Sequence, residues 1–403
     1  MPHVRSASIG IWADVGSAAE RREQRGVSHL VEHMLFKGTQ RRTARDIAET
    51  MDGVGGNLNA FTDKETTCYY AKVIDHHIPL AIDVLSDMFL HSVFDGTELA
   101  KEQKVVLEEI RMYDDNPDEQ IHDVFTRTMW CGSNLGEPTI GYAETVSALT
   151  RDTLRDHVRT RYAPNAIVVA AAGNVDHEQL VELLGAAFAG FEGHSEPPVP
   201  ERPRLTPSRV VKHKDTEQAY IVLGTRGLSQ RDDRRFALSV LDTILGGGMS
   251  SRLFQEVREK RGLAYNVYSF QQSYREAGLF AVSAGTAPGS ARECIDVIVG
   301  ELETVAEKGV TAAELTLAKE HIKGSLTLSL ESTSSRMIRI GRSEFTLGYQ
   351  MTSEEIEARI DAVTKTDVDK LANTLLVPGR LGLCVLGPVA EAQLDRVRSI
   401  AVA

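Results

Sequence analysis

His29, Glu32 and His33 stand close together in the run Ser28-His29-Leu30-Val31-Glu32-His33-Met34-Leu35-Phe36. An apolar run opened by a serine reads as a helix with Ser28 at or near its N-cap. Residues three and four apart on a helix share a face, so the three polar side chains point the same way. Two neutral imidazoles one turn apart are the donor pair for a single zinc ion, and a neighbouring carboxylate is placed to take a proton from an attacking water. The plain alternative is a helix with two surface histidines. Val31, Met34, Leu35 and Phe36 argue against it, because they bury most of the helix and leave its polar stripe in need of partners.

A catalytic zinc needs a third protein ligand and an open position. The charged helix expected from Asp95 to Asp114 is the best source. Glu102 and Glu109 lie two turns apart on one face of it, with Val105 and Val106 between them. Carboxylates on a face that wants burial need something positive opposite them. One can bind the metal while the other orients an imidazole. On the residues alone, Glu108 and Glu109 remain alternatives for the ligand.

His29-x-x-Glu32-His33 is the inverzincin motif. Followed downstream by a Glu-x6-Glu helix, it resembles the pitrilysin and insulin-degrading-enzyme family of zinc metallopeptidases. The wording His-Leu-Val-Glu-His-Met-Leu-Phe-Lys-Gly-Thr39 resembles the branch that contains mitochondrial processing peptidase and its bacterial relatives. The resemblance implies one zinc per chain on His29, His33 and Glu109, Glu32 as the base, and a supporting role for Glu102. It also implies that Asn59, Ala60 and Phe61 form an exposed edge strand to which extended substrate adds by main-chain hydrogen bonds. A further strand ahead of Ser6, with a Leu-x-Asn-Gly-Leu-x-Val pattern, is implied but is not contained in this sequence.

Several elements must position these groups. A strand is expected over Ser6–Val15, a helix over Thr43–Met51, and a hairpin over Asn57–Thr62 and Thr66–Val73. Helices follow at 77–92, 95–114, 118–129 and 142–160, then a strand at Ala166–Gly173 and a helix at 177–190. Pro and Glu crowd the segment from Glu192 to Pro207, the composition of a semi-rigid linker. Beyond it the order repeats. A strand (Gln218–Arg226), helices (Arg234–Leu245, Ser250–Lys260) and a hairpin (Ala264–Ser283) lead to helices over 289–308, 311–348 and 353–375 and a strand over Leu381–Leu386. The expected fold is therefore α+β, two duplicated α/β-roll-like halves forming a clamshell: a catalytic half (1–191), a linker (192–207) and a metal-free half (208–403).

The second half carries Leu241-Asp-Thr-Ile-Leu245 where the first carries its histidines. Its Gly246-Gly-Gly-Met-Ser-Ser turn lacks the lysine of a phosphate loop. Arg258 and Tyr265 are unremarkable by spacing. The resemblance makes them substrate contacts that stabilise the tetrahedral intermediate, since guanidinium and phenol donate where negative charge develops.

Composition sets the outer limits. The 403 residues, 42% hydrophobic and 25% charged, include no apolar run long enough to span a bilayer and no secretory leader pattern. Four scattered cysteines imply a reducing compartment and a cytoplasmic location, and a net charge of −12 disfavours nucleic acid. The expected function is a zinc-dependent endopeptidase acting on peptides or unfolded segments. Since one chain carries both the zinc motif and the Arg…Tyr pair, a homodimer is the expected assembly. A presequence-processing peptidase of narrow specificity and a non-catalytic assembly subunit are the alternatives.

Overall fold

The structure is a computed structural model, described over residues 1–199, 203–377 and 379–394; residues 200–202 of the Pro-rich segment, and the end of the expected second half at 395–403, lie outside the described residues. The chain begins with strand β1 (Ser6–Ala13), helices α1 (Val27–Leu35) and α2 (Ala44–Asp52), the hairpin β2 (Asn57–Thr62) and β3 (Thr67–Ile74), and helices α3 (Ile78–His91) and α4 (Gly96–Asp115). Helices α5 (Pro117–Met129), α6 (Ala143–Ala148) and α7 (Arg151–Arg161), strand β4 (Ile167–Gly173) and helix α8 (His177–Ala187) follow. Next come strands β5 (Arg209–His213) and β6 (Ala219–Arg226), helix α9 (Arg235–Gly246), a π-helical turn (Phe254–Glu259) and the hairpin β7 (Ala264–Ser273) and β8 (Gly278–Thr286). Helices α10 (Ala291–Lys308), α11 (Ala312–Ser329), α12 (Thr333–Leu347), α13 (Ser353–Ala362) and α14 (Lys365–Leu375) precede the last strand, β9 (Gly382–Gly387).

Two sheets organise these elements, in the orders β2-β3-β1-β4 and β7-β8-β6-β9-β5. Each places a hairpin at one edge, then the strand that precedes the hairpin, then the last strand of its half. That shared order is the duplication the sequence predicts. All pairings are antiparallel except β5 with β9. Strand β5 was not expected; its five residues are too short and too basic to announce a strand.

Strand β1 shows why the first sheet needs cover on both faces. Ala7, Ile9, Ile11 and Ala13 face a core shared with Leu30, Met34, Ile82 and Leu85. Trp12 faces the other way and packs with Cys68, Ala170, Ala172 and Met337. Met337 comes from α12, far along the chain. Ser8 Oγ also meets Thr333 Oγ1 at 2.9 Å and Ser334 Oγ at 3.0 Å.

The compact units therefore cut across a division drawn at 192–207. One comprises Met1–Arg111, Glu137–Val199 and Leu328–Gln350; the other Met112–Gly136, Pro200–Thr327 and Met351–Ala403. Helix α12 lies on β1 and β4, while α5, from the first half of the sequence, lies on β6 and β9. Each sheet buries its second apolar face under a helix supplied from beyond its own stretch of chain.

Three expected helices are shorter than drawn. Residues 142–160 form α6 and α7, broken at Leu149-Thr150, where Thr150 caps α7. Residues 311–348 form α11 and α12, with Ser332 capping the second. Ser250–Lys260 winds as a π-helical turn over Phe254–Glu259.

Candidate metal centre

Helix α1 carries His29, Glu32 and His33, and its apolar residues anchor it. Val27, Leu30, Val31, Met34 and Leu35 are all buried. Each such side chain contributes about 1.5–3 kcal/mol when fully taken out of water, so the face bearing the polar groups has little freedom to rotate. Ser28 is not the N-cap. That position belongs to Gly26, at φ 91°, where a Cβ would sit 2.6 Å from the Ile140 carbonyl oxygen.

Helix α4 brings the third group. Asp95 Oδ1 accepts from the N–H groups of Thr97 and Glu98 at 2.8 and 3.1 Å and so starts the helix. Leu99, Glu102 and Val106 are its buried face. One turn beyond Val106, Glu109 Oε2 lies 3.8 Å from His29 Nε2 and 3.8 Å from His33 Nε2. Tetrahedral bonds of about 2.0–2.1 Å hold ligand atoms roughly 3.3 Å apart, so a small contraction closes this triangle on one ion. Among the described residues, these three form the one group of three or more His, Cys, Asp or Glu whose ligating atoms lie within 4.8 Å of one another. Glu108 pairs instead with Arg111 on the exposed side of α4. Of the two glutamates the sequence left open, it is Glu109 that lies beside both imidazoles.

The protonation states suit a cation. Burial, with His33 alongside, pushes His29 down to about 4, so its ring is neutral near pH 7. Burial also raises the Glu109 carboxyl, a cost that a positive ion at the site relieves. His33 Nδ1 meets Glu102 Oε2 at 3.1 Å, which places the proton on Nδ1 and leaves Nε2 free for a metal. Glu102 is 6% exposed, and its other oxygen is 2.7 Å from Lys37 Nζ. The donor set and its support fit zinc.

Glu32 stands on the same helix face. Its Oε2 accepts from Thr62 Oγ1 at 2.5 Å. Burial raises its carboxyl while the Thr62 bond opposes the rise. Thr62 ends β2, an edge strand bonded on one side to β3. On β2, Leu58 and Ala60 pack toward the α1 core, whereas the Phe61 ring turns away and packs on Trp12 with centroids 5.4 Å apart. Asn59 Oδ1 accepts from the Ala60 N–H at 2.8 Å, so this N–H is directed away from β3 toward the open edge.

Arg258 and Tyr265 belong to the other compact unit, and there they meet. The guanidinium carbon lies 4.7 Å from the Tyr265 ring centroid and 4.7 Å from that of Phe254. The π-helical turn, with Lys260 N bonded to Gln255 O at 2.9 Å, sets Arg258 above Phe254. Tyr265 is 78% exposed.

Lys37, Thr62 and Glu20 were not singled out in the sequence. Lys37 continues the i, i+4 stripe of His29 and His33, so helical spacing points to it. Strand alternation points to Thr62, two places past Ala60. Glu20 holds the start of α1 from outside the helix and leaves no local signal.

Known proteins resemble this chain over most of its length. Residues 1–142 match the model of the insulinase family, peptidase family M16, and residues 148–322 match that of the peptidase M16 inactive domain. The chain is 45% identical to an uncharacterized zinc protease of Streptomyces coelicolor over 98% of this chain and 88% of that one. It is 44% identical to an uncharacterized zinc protease of Bacillus subtilis over 93% and 91%. Among solved structures, a protease from Helicobacter pylori superposes with a TM-score of 0.87 at 22% identity, covering 95% of this chain and 94% of that one. A peptidase M16 inactive domain from Pseudomonas fluorescens reaches 0.90 at 20% identity, covering 96% and 94%.

Proposed function

The chain belongs to peptidase family M16, and on that premise we propose that it is a zinc-dependent endopeptidase acting on peptides or unfolded segments. One observation carries the reading. His29 Nε2, His33 Nε2 and Glu109 Oε2 converge, while Glu32 stands beside them with its carboxylate held by Thr62.

His29, His33 and Glu109 would hold the zinc, which when bound supplies Lewis acidity toward a peptide carbonyl and makes water a nucleophile at neutral pH. Glu32 takes a proton from the attacking water on the carboxylate oxygen that Thr62 does not hold, as the C–O bond forms. The tetrahedral intermediate collapses with cleavage of the C–N bond, and Glu32 returns the proton to the leaving amine. Raised by burial, the Glu32 carboxyl is better matched to both transfers than an exposed glutamate. The open edge of β2 at Asn59 to Phe61 accepts the substrate as an added strand, which reads main chain and tolerates many side chains. Phe61 serves through its backbone, because its ring is committed to Trp12. Arg258 and Tyr265 donate to the substrate main chain and to the oxygen that gains charge. Since one chain holds both sets of groups, the working form is a homodimer. An assembly-only role is disfavoured by the intact set of ligands and base.

Hydrolysis of an unstructured peptide by wild type and Glu32→Gln tests the reading. Turnover in the variant is expected to fall by a factor of about 10³ or more with zinc content unchanged. Equal turnover in both contradicts the role of Glu32.

No helix among the described residues is long and apolar enough to cross a membrane.

A further inference from the structure

Helix α1 does not cap itself. Its N-cap is Gly26, which has no side chain to offer, and the N–H groups of the first turn still need acceptors. Glu20 provides acceptors for two N–H groups at this end. Its Oε2 accepts from Gly26 N and its Oε1 from Ser28 N, both at 2.8 Å. Glu20 is 5% exposed, and burial pushes its carboxyl up to about 7 against the lowering effect of those two bonds. Placing a carboxylate there is costly, so its use as an external cap calls for a reason.

The reason lies in where the histidines sit. Helix α1 is nine residues long, and His29 is its third residue, inside the turn that Glu20 holds. His33 sits a full turn deeper and is fixed separately by Glu102. By contrast, His29 Nδ1 is buried with no hydrogen-bond partner among the described residues. Among the described residues no side-chain hydrogen bond at Nδ1 orients the His29 ring; beyond its edge-on contact with the His33 ring, 4.6 Å between centroids, its position depends on the backbone of the first turn. That backbone ends on Gly26, the residue type least able to hold a conformation unaided.

We propose that Glu20 is a positioning residue of the metal centre: by clamping the Gly26 and Ser28 N–H groups it fixes the first turn of α1 and thereby the placing of His29 for zinc. The inference rests on the reading of His29, His33 and Glu109 as zinc ligands. Removing a supporting group of this kind costs about 10- to 100-fold in metal affinity.

The test is a zinc titration of the full chain, stripped of metal, in competition with a chromogenic chelator. Glu20→Gln keeps the size but turns an amide NH₂ toward one of the two N–H donors. It is expected to raise the zinc dissociation constant about 10- to 100-fold. Glu20→Asp keeps the charge on an arm too short to reach both donors, and is expected to raise it by at least about threefold, so it carries the test if the first variant does not fold. Thermal unfolding of the metal-free proteins runs in parallel. A cap with a purely structural role lowers that midpoint and leaves zinc affinity within about twofold of wild type, which overturns the proposal. His33→Ala separates the two layers of the argument. If it binds zinc as wild type does, the assignment of the ligands fails. If it loses zinc while both Glu20 variants keep full affinity, the positioning role of Glu20 alone fails.

Discussion

Thr62 Oγ1 donates to Glu32 Oε2 across 2.5 Å, joining the last residue of the edge strand β2 to the carboxylate that serves as base in the proposed reaction. The strand offered to substrate and the group offered to water are thus one hydrogen bond apart. A bond to a charged acceptor contributes about 1.5–3 kcal/mol. Thr62→Val removes the hydroxyl and keeps the shape, so kcat is expected to fall on the order of 10- to 100-fold with KM and zinc content unchanged. Thr62→Ser should restore most of the rate. A rise in KM at constant kcat would show that Thr62 acts on binding instead.

Lys37 and His33 share Glu102 between them. Lys37→Met leaves the Glu102 carboxylate with one partner fewer in a site that is 6% exposed. The imidazole loses part of its orientation, and zinc affinity is expected to drop about tenfold. Competitive titration with a chelator measures it. Unchanged affinity would show that Lys37 takes no part in orienting the His33 imidazole.

How much of this was legible in the sequence depends on how local each cause is. The stripe His29, Glu32, His33 follows from helical spacing, and it extends to Lys37 by the same rule. The choice of Glu109 over Glu108 needed the facing of α4, since both lie in one turn. The cap of α1 escaped because Ser28 looks like a capping residue, while the true acceptor, Glu20, reaches Ser28 from eight residues upstream. The duplicated sheet order was readable from the repeat of elements. The crossing of α5 and α12 to the opposite sheets was not, because it depends on which apolar face each helix covers.

Gly341 tests that crossing. It lies on α12, and a Cβ there would stand 2.2 Å from Trp12 Nε1 and 2.3 Å from Trp12 Cε2. Trp12 is fully buried and has nowhere to move. Gly341→Ala is expected to destabilise the protein by about 1–3 kcal/mol through overpacking, despite the better helix propensity of alanine. Chemical denaturation reads the change. A neutral or stabilising effect would mean that α12 does not cover the Trp12 face.

Asp242, on α9, gives a pH signature to the second unit. Burial pushes its carboxyl from the ordinary 3.8 up to about 6, against the lowering effect of the Ser269 hydroxyl that donates to it. The folded state binds this proton more tightly than the unfolded chain. Its contribution to stability is therefore complete below about pH 4 and is lost as pH rises toward 6. Asp242→Asn keeps an acceptor for Ser269 without the charge. It should stabilise the protein by about 1–2 kcal/mol at pH 8, allowing for residual solvent, and by much less at pH 4. The same gain at both pH values would show that the carboxyl titrates normally.

The most direct test of the metal centre is a zinc-edge anomalous difference map from crystals of protein purified without added metal. The account predicts one peak per chain within about 2.0–2.2 Å of His29 Nε2, His33 Nε2 and a Glu109 carboxylate oxygen. A peak bound by other residues, or no peak in crystals of protein that hydrolyses peptide, would contradict it.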